Sequence, residues 1–148
     1  MAARKPKVAN PSSLIEYHHL RFLIIDAPTD ANISAYVDEV KRNNVVTVVR
    51  ACEPTYDPAP FTAAGIAEVK ASLAKGRKDP KATIAVHCVA GLGRAPVLVA
   101  VALVEEGLQP LEAVELIRSK RRGAINQSQL KYLQHEYTPR GGGCCTIQ

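Results

Sequence analysis

The sequence predicts an α/β domain with a largely parallel central sheet flanked by helices. Short apolar or β-branched runs alternate with amphipathic helical patterns along the 148 residues, as in βαβ units. The run 45–49 is apolar apart from Thr47, which is typical of a central parallel strand. A chain of 16.0 kDa can bury about two-thirds of its unfolded surface, so we expect one domain.

The amino-terminal half supplies two short strands and a helix before that central strand. Residues 14–17 and 21–25 predict the strands. A helix carrying apolar residues from Ile33 to Val40 follows, with Thr29 or Asp30 as its N-cap.

The second half is predicted to be mainly helical around one further strand. A helix with Ile66, Val69 and Leu73 on one face precedes the strand that ends at His87. Pro110 opens a helix because proline suits the first helical position, and residues 127–137 form the last helix.

Residues 84–96 carry the strongest chemical signal, a buried strand, a tight loop and an apolar helix in succession. Cys88 ends the strand and Arg94 opens the helix. Loop N–H groups and the helix N-terminus would hold one anion, and Arg94 offers a planar donor pair matched to phosphate. The same positive field should favour the Cys88 thiolate, a nucleophile. The predicted phosphate-binding loop consists of Val89, Ala90, Gly91, Leu92, Gly93 and Arg94.

This arrangement predicts a cysteine-dependent phosphatase, and three alternatives stay open. Arsenate reductases and sulfurtransferases also use a cysteine in an anion-binding loop. Cys88 could instead be a small buried hydrophobe beside glycines that only turn the chain. His87 either orients the loop by hydrogen bonding or is a core histidine with satisfied partners.

The overall composition restricts the cellular location and the classes of binding partner that we expect. A net charge of +5 suits an anionic substrate or an acidic membrane surface, and no basic-aromatic motif supports nucleic acid. No stretch approaches a membrane span and no cleavable signal opens the chain, so we expect a protein on the cytosolic side with reduced cysteines. We expect no metal site and no cofactor. Residues 1–13 are predicted to be a mobile basic arm, 14–138 the catalytic domain and 139–148 a flexible tail.

Several segments resemble the PRL phosphatases, the prenylated protein tyrosine phosphatases named after regenerating liver. The longest is HCVAGLGRAPVLVA at 87–100. The others, in the family's order, are RFLI at 21–24, VVRACEPTYD at 48–57, IRSKRRGAIN at 117–126 and CCTIQ at 144–148. The resemblance covers most of the chain. It implies a three-layer cysteine phosphatase fold that hydrolyses phosphotyrosine through a phosphocysteine.

The resemblance also implies properties of individual residues. Ala95 replaces the Ser or Thr that usually follows the loop arginine in the wider superfamily, which implies slow turnover of the phospho-enzyme. Cys52 matches the position that forms a reversible disulfide with the nucleophile in the family. From the sequence alone, a buried thiol at a strand end is as good a description of Cys52. Family members also bind cyclin-M-type magnesium transporters, through the acid-loop region.

The carboxyl terminus matches a prenylation signal. In 145–148 a cysteine is followed by two tolerated residues and a terminal Gln, which favours farnesylation of Cys145. An unmodified tail is the alternative. A single lipid anchors weakly, so a second signal is needed. The family's polybasic stretch is reduced here to Arg140, and the candidates to replace it are basic residues at 4–7, those at 120–122, or acylation of Cys144.

The chain lacks the family's WPFDD segment, whose aspartate protonates the leaving group. It contains no Trp, and about twenty family residues are missing between Tyr56 and the active-site strand. We expect this loss to remove one edge strand and to leave an exposed edge that invites homo-oligomers. Asp57 is a weak candidate for the general acid, and Glu53, Glu68 and Asp79 have no better claim.

Taken together, these observations predict a slow, prenylated protein tyrosine or dual-specificity phosphatase that acts on phosphoproteins. We expect it on the cytoplasmic side of plasma or endosomal membranes, with a cytosolic pool. The alternative is a catalytically impaired adaptor that binds phosphate or protein partners through the same pocket.

Overall fold

The structure is a computed structural model that describes residues 7, 8, 10–70 and 82–139. Its strands are β1 (Ser13–Tyr17), β2 (Leu20–Ile25), β3 (Val45–Arg50), β4 (Ala67–Lys70) and β5 (Thr83–His87). They form one sheet in the order β1-β2-β5-β3-β4. β1 and β2 are an antiparallel hairpin, whereas β2, β5, β3 and β4 pair in parallel. The predicted α/β class with a mostly parallel sheet is therefore confirmed.

The helices are α1 (Ile33–Arg42), α2 (Ala59–Ala63), α3 (Arg94–Glu105), α4 (Pro110–Lys120) and α5 (Gln127–Lys131). A π-helical turn, Tyr132–Glu136, continues α5. Pro110 stands in the first turn of α4, as predicted. None of the helices within the described ranges has the length and apolar character needed to cross a bilayer.

Successive side chains along the strands pack alternately into two hydrophobic cores, one on each face of the sheet. Leu23, Val48 and Ala85 pack with residues of α1 and α2. Ile24, Val49 and Val86 pack with residues of α3, α4 and α5 on the opposite face. This alternation follows from the period of two along a strand and produces the three layers.

The segment after α2 differs from the prediction. Residues 67–70 form a strand, β4, paired with β3, and not the start of a helix. Glu68 on β4 forms an ion pair with Arg50 on β3, a contact that the helical spacing of Ile66 and Val69 could not indicate. Leu73 lies outside the described residues.

The expected loss of an edge strand also needs correction. β4 occupies the sheet edge beside β3, so the connection between β3 and β5 retains a strand. The predicted domain boundaries stay predictions, because residues 1–6 and 9 of the predicted arm at 1–13 and residues 140–148 of the predicted tail at 139–148 lie outside the described residues.

Candidate active site

The reactive loop lies at the carboxyl end of the parallel strands, where such sheets bind ligands. β5 ends at His87, α3 begins at Arg94, and residues 88–93 connect them. Cys88 is 4% exposed at the floor of this loop. α3 has no side-chain cap and no acidic residue in its first turn, so the N-terminal N–H groups are left for the thiol and a ligand.

The surroundings of Cys88 favour its thiolate. Burial alone raises the pKa of the thiol. The backbone N–H groups of Ala95, Gly93 and Gly91 donate to the sulfur, and the positive charge of Arg94 acts in the same direction. These contributions outweigh burial, and the pKa of Cys88 is lowered from its ordinary value.

The loop is fixed from outside through its carbonyl groups. Donors outside the anion site occupy the carbonyls of Cys88, Val89, Leu92 and Gly93. They are His87 Nδ1 at 3.1 Å, Ala27 N at 2.8 Å, Ile125 N at 2.8 Å and Val97 N at 3.1 Å. Because the carbonyls point outward, the loop N–H groups point toward the anion site.

Arg121 binds the remaining carbonyls of the loop from behind. Its Nε donates to Gly91 O at 2.7 Å and its Nη2 to Ala90 O at 3.4 Å. Its Nη1 reaches Pro11 O at 2.9 Å and Ser13 Oγ at 3.1 Å. The side chain is 6% exposed, so the planar fork of an arginine ties the loop to the sheet.

This position of Arg121 corrects one expectation from the sequence. The basic cluster at 120–122 was a candidate membrane-binding signal, but Arg121 is buried behind the loop and cannot face a lipid surface. Lys120 and Arg122 remain exposed. The sequence does not indicate the role of Arg121 in the site, because nothing in it distinguishes Arg121 from its two basic neighbours.

Gly91 is required by the same arrangement. Its φ is +72°, a conformation that favours glycine. A Cβ there would lie 2.6 Å from Arg121 Nη2 and 2.7 Å from Ile25 O. Only a residue without a side chain therefore allows the guanidinium to approach the loop.

His87 and Tyr56 fix the start of the loop. Tyr56 Oη lies 2.7 Å from His87 Nε2, and His87 Nδ1 lies 3.1 Å from Cys88 O. A carbonyl only accepts, so we assign the proton to Nδ1, which leaves Nε2 to accept from the Tyr56 hydroxyl. Burial is the largest cause of the lowered pKa of His87, which keeps the ring neutral. This contact pattern fits the predicted orienting role.

A cleft of about 570 Å³ opens beside the loop arginine. Arg94, Val97 and Leu98 from α3 form one part of its wall. The other lining residues are Arg50, Ala51, Cys52, Glu53, Lys70, Ser128, Gln129 and Tyr132. The cleft therefore combines positive charge with an apolar helix face, a setting that suits an aryl phosphate.

Cys52 is close to this site and is a free thiol. Its Sγ lies 3.9 Å from His87 Nδ1. Burial is the main cause of its raised pKa; the charge of Cys88 raises it further and that of Arg94 opposes it. The charges of Cys88 and Arg94 thus both act on Cys52, and its assignment as redox partner stays a prediction.

Two of the candidate acids are engaged elsewhere. Asp57 Oδ1 accepts from Ala59 N at 2.9 Å at the start of α2, and Asp57 is absent from the cleft lining. Glu68 is held by Arg50 at 2.8 Å, with both side chains largely buried. Asp79, Cys144 and Cys145 lie outside the described residues. Within residues 7, 8, 10–70 and 82–139, no cluster of His, Cys, Asp and Glu could hold a metal ion.

Comparison with known proteins agrees with this geometry. The protein-tyrosine phosphatase family matches residues 36–136. The chain is 44% identical over 163 aligned positions to the "Probable protein tyrosine phosphatase type IVA A" of Dictyostelium discoideum, covering 97% of this chain and 98% of that protein. It is 46% identical over 147 positions to the PRL-1 phosphatase of Drosophila melanogaster, covering 86% of this chain and 83% of that protein.

A solved structure shows the same fold. A Leishmania major chain named as a protein tyrosine phosphatase superposes with a TM-score of 0.75 at 36% identity, over 87% of this chain and 99% of that one. The Dictyostelium alignment has 163 positions and covers 97% of the 148 residues of this chain, about 144, so about 19 aligned positions have no residue of this chain. The chain belongs to the type IVA, or PRL, family of protein tyrosine phosphatases.

Proposed function

We propose that the protein is a slow phosphotyrosine phosphatase that works through a phosphocysteine at Cys88. One observation carries this proposal: a thiol with a lowered pKa lies among inward N–H groups beside Arg94. Membership of the type IVA family makes the chain a cysteine-dependent phosphatase for phosphoproteins. The residue roles and the preference for tyrosine are the proposed part.

The chemistry follows from the positions of the groups. The Cys88 thiolate attacks phosphorus, the new S–P bond forms, and the bond to the leaving oxygen breaks. Arg94 and the N–H groups of residues 89–93 bind the phosphoryl oxygens, whose charge they stabilise in the transition state. Water then attacks phosphorus, the S–P bond breaks, and phosphate leaves.

The second step should be slow. Ala95, at the position after the loop arginine, is fully buried and has no hydroxyl to assist the departing thiolate. Its N–H is the largest of the three backbone contributions that lower the pKa of Cys88. The phospho-enzyme should therefore accumulate during turnover.

A Cys88→Ser comparison tests the proposal. Wild-type protein should release phosphate from a phosphotyrosine peptide, and a phosphocysteine should be trapped on Cys88 by acid quench and mass spectrometry. Cys88→Ser should do neither. It should still bind vanadate, but with lower affinity than the wild type. If the wild type hydrolyses no phosphate ester but binds vanadate, the protein is the phosphate-binding adaptor that the shortened segment also allows.

We also propose that Cys145 is farnesylated and brings the protein to cytoplasmic membrane surfaces. Lys120 and Arg122 are exposed and can assist, and acylation of Cys144 is the other candidate second signal. Farnesyl transferase should label the full chain but not Cys145→Ser. Labelled protein should bind vesicles that contain phosphatidylserine more tightly than unlabelled protein.

Protein partners are a further part of this proposal. Magnesium-transporter-type partners stay a candidate from the family resemblance. Homo-oligomers stay a candidate from the sheet edge, which β4 forms. Sedimentation of the full chain at several concentrations decides the oligomeric state. Pull-down with a transporter's cytosolic domain, beside Cys88→Ser, decides whether binding needs the thiol.

A further inference from the structure

The cleft beside the reactive loop contains a carboxylate that the chemistry above leaves unused. Among the residues that line it, Glu53 is the one acidic side chain within the described ranges. It is exposed and follows Cys52, three residues after the end of β3. Arg94, which binds the phosphoryl group in the proposed reaction, lines the same cleft.

Glu53 and the reacting groups also act on the same thiol, that of Cys52. Burial is the main cause of the raised pKa of Cys52, but the charges of Arg94, Cys88 and Glu53 all act on that thiol. One small side chain therefore senses the nucleophile, the phosphate-binding arginine and the carboxylate together. The charged or titratable groups that share the cleft with Glu53 are Arg50, Cys52, Lys70, Arg94 and Tyr132.

We propose that Glu53 replaces the absent acid of the WPFDD segment. In the first step its carboxyl gives a proton to the leaving oxygen as the bond from that oxygen to phosphorus breaks and the Cys88–phosphorus bond forms. In the second step its carboxylate takes a proton from water as the water oxygen bonds to phosphorus and the S–P bond breaks. This restores the acid and the thiolate, so protons balance over the cycle.

The inference rests on the proposed phosphatase activity, and two substrates separate the two claims. A phosphotyrosine peptide has a leaving group that needs a proton. Difluoromethylumbelliferyl phosphate has a leaving group that departs as an anion. With the second substrate, rapid mixing measures the burst of released difluoromethylumbelliferone. This burst reports formation of the phosphocysteine, the step that precedes attack by water.

Glu53→Gln keeps the shape of the side chain and removes its proton chemistry. We expect kcat/KM on the peptide to fall about 100-fold and the burst rate on the activated ester to change less than about twofold. Asp57→Asn is the matched control, because the Asp57 side chain lies outside the cleft lining and accepts from Ala59 N, and asparagine offers the same acceptor oxygen.

Three results would overturn the assignment. Glu53→Gln could equal the wild type on the peptide, or it could lose the same factor on both substrates, as a binding or structural residue would. Alternatively, Asp79→Asn could show the selective loss on the peptide while Glu53→Gln does not. A wild type that gives no burst with the activated ester would instead reject the phosphatase proposal itself.

Discussion

Arg121 Nε donates a hydrogen bond to the carbonyl oxygen of Gly91 at 2.7 Å, so a buried guanidinium holds the reactive loop from the side opposite to the substrate. Arg121 is the C-cap residue of α4, and it lies 30 positions after Gly91 in the sequence. It turns two loop carbonyls away from the anion site. We therefore expect the affinity of the loop for phosphate to depend on a residue that lies on the side away from the substrate.

Arg121→Lys tests this dependence. Lysine keeps the charge but cannot reach several acceptors with a planar fork, so buried carbonyls lose their donors. We expect a loss of about 1.5–3 kcal/mol in the free energy of unfolding, since these hydrogen bonds involve a charged donor. Vanadate affinity should fall about tenfold, measured by fluorescence or calorimetry, as the loop loosens. Arg122→Lys, at the exposed neighbour, should change neither quantity.

Gly91→Ala tests the close approach between the loop and the guanidinium. The new Cβ would meet Arg121 Nη2 and the Ile25 carbonyl at under 3 Å, at a φ of +72°. Gly65→Ala is a matched control with φ +79° and no atom within 4 Å. We expect Gly65→Ala to cost about 1 kcal/mol from backbone strain alone. Gly91→Ala should cost at least 2 kcal/mol more in urea unfolding; equal costs would contradict the contact.

The lowered pKa of Cys88 predicts that its thiolate forms at a lower pH than that of an ordinary thiol. The rate of alkylation by iodoacetamide, followed by mass spectrometry of the Cys88 peptide, should have its midpoint below the ordinary thiol value of 9.0. Arg94→Met should move the midpoint to higher pH, because one positive charge that favours the thiolate is removed. Cys52, whose pKa is raised, should react with its midpoint above 9.0. A Cys88 midpoint at or above 9.0 would contradict the described geometry.

The lowered pKa of His87 predicts that the folded protein loses stability in mild acid. Its folded pKa lies below the ordinary 6.5, first because of burial. As pH falls through 6.5, the unfolded chain binds a proton at this ring and the folded chain does not. The free energy of unfolding then decreases by up to about 1.4 kcal/mol per pH unit until the folded pKa is reached.

His87→Asn separates this ring from other acid effects. The variant should have lower stability at neutral pH, because the contact with the Tyr56 hydroxyl is lost. Its stability should depend less on pH between 6.5 and 5 than that of the wild type, measured by thermal unfolding. Identical slopes in the two proteins would show that another group is responsible.

The parts of the molecule that sequence predicts well are those whose signal is local. The strand, loop and helix at 84–96 are adjacent in sequence, and their hydrophobic pattern and glycines specify them directly. β4 escaped prediction because Ile66 and Val69 also fit a helical period. Its strand geometry depends on pairing with β3, which is a tertiary interaction.

The supports of the site were less predictable than its reacting groups. Cys88 and Arg94 are separated by five residues, and their types alone suggest their chemistry. Arg121 carries the same charge as Lys120 and Arg122, and its burial depends on how the end of α4 meets a distant loop. Tyr56 is likewise a typical core aromatic in sequence, and its contact with His87 joins residues 31 positions apart.

The outward-facing carbonyls of the reactive loop have a kinetic consequence. Since donors already occupy each carbonyl from Cys88 to Gly93, the loop has little freedom to lose when an anion arrives. After inorganic phosphate dissociates in the last step, the loop keeps its anion-binding conformation and can bind phosphate again. Product should therefore compete with substrate, and cellular phosphate would set how much free enzyme is available to act.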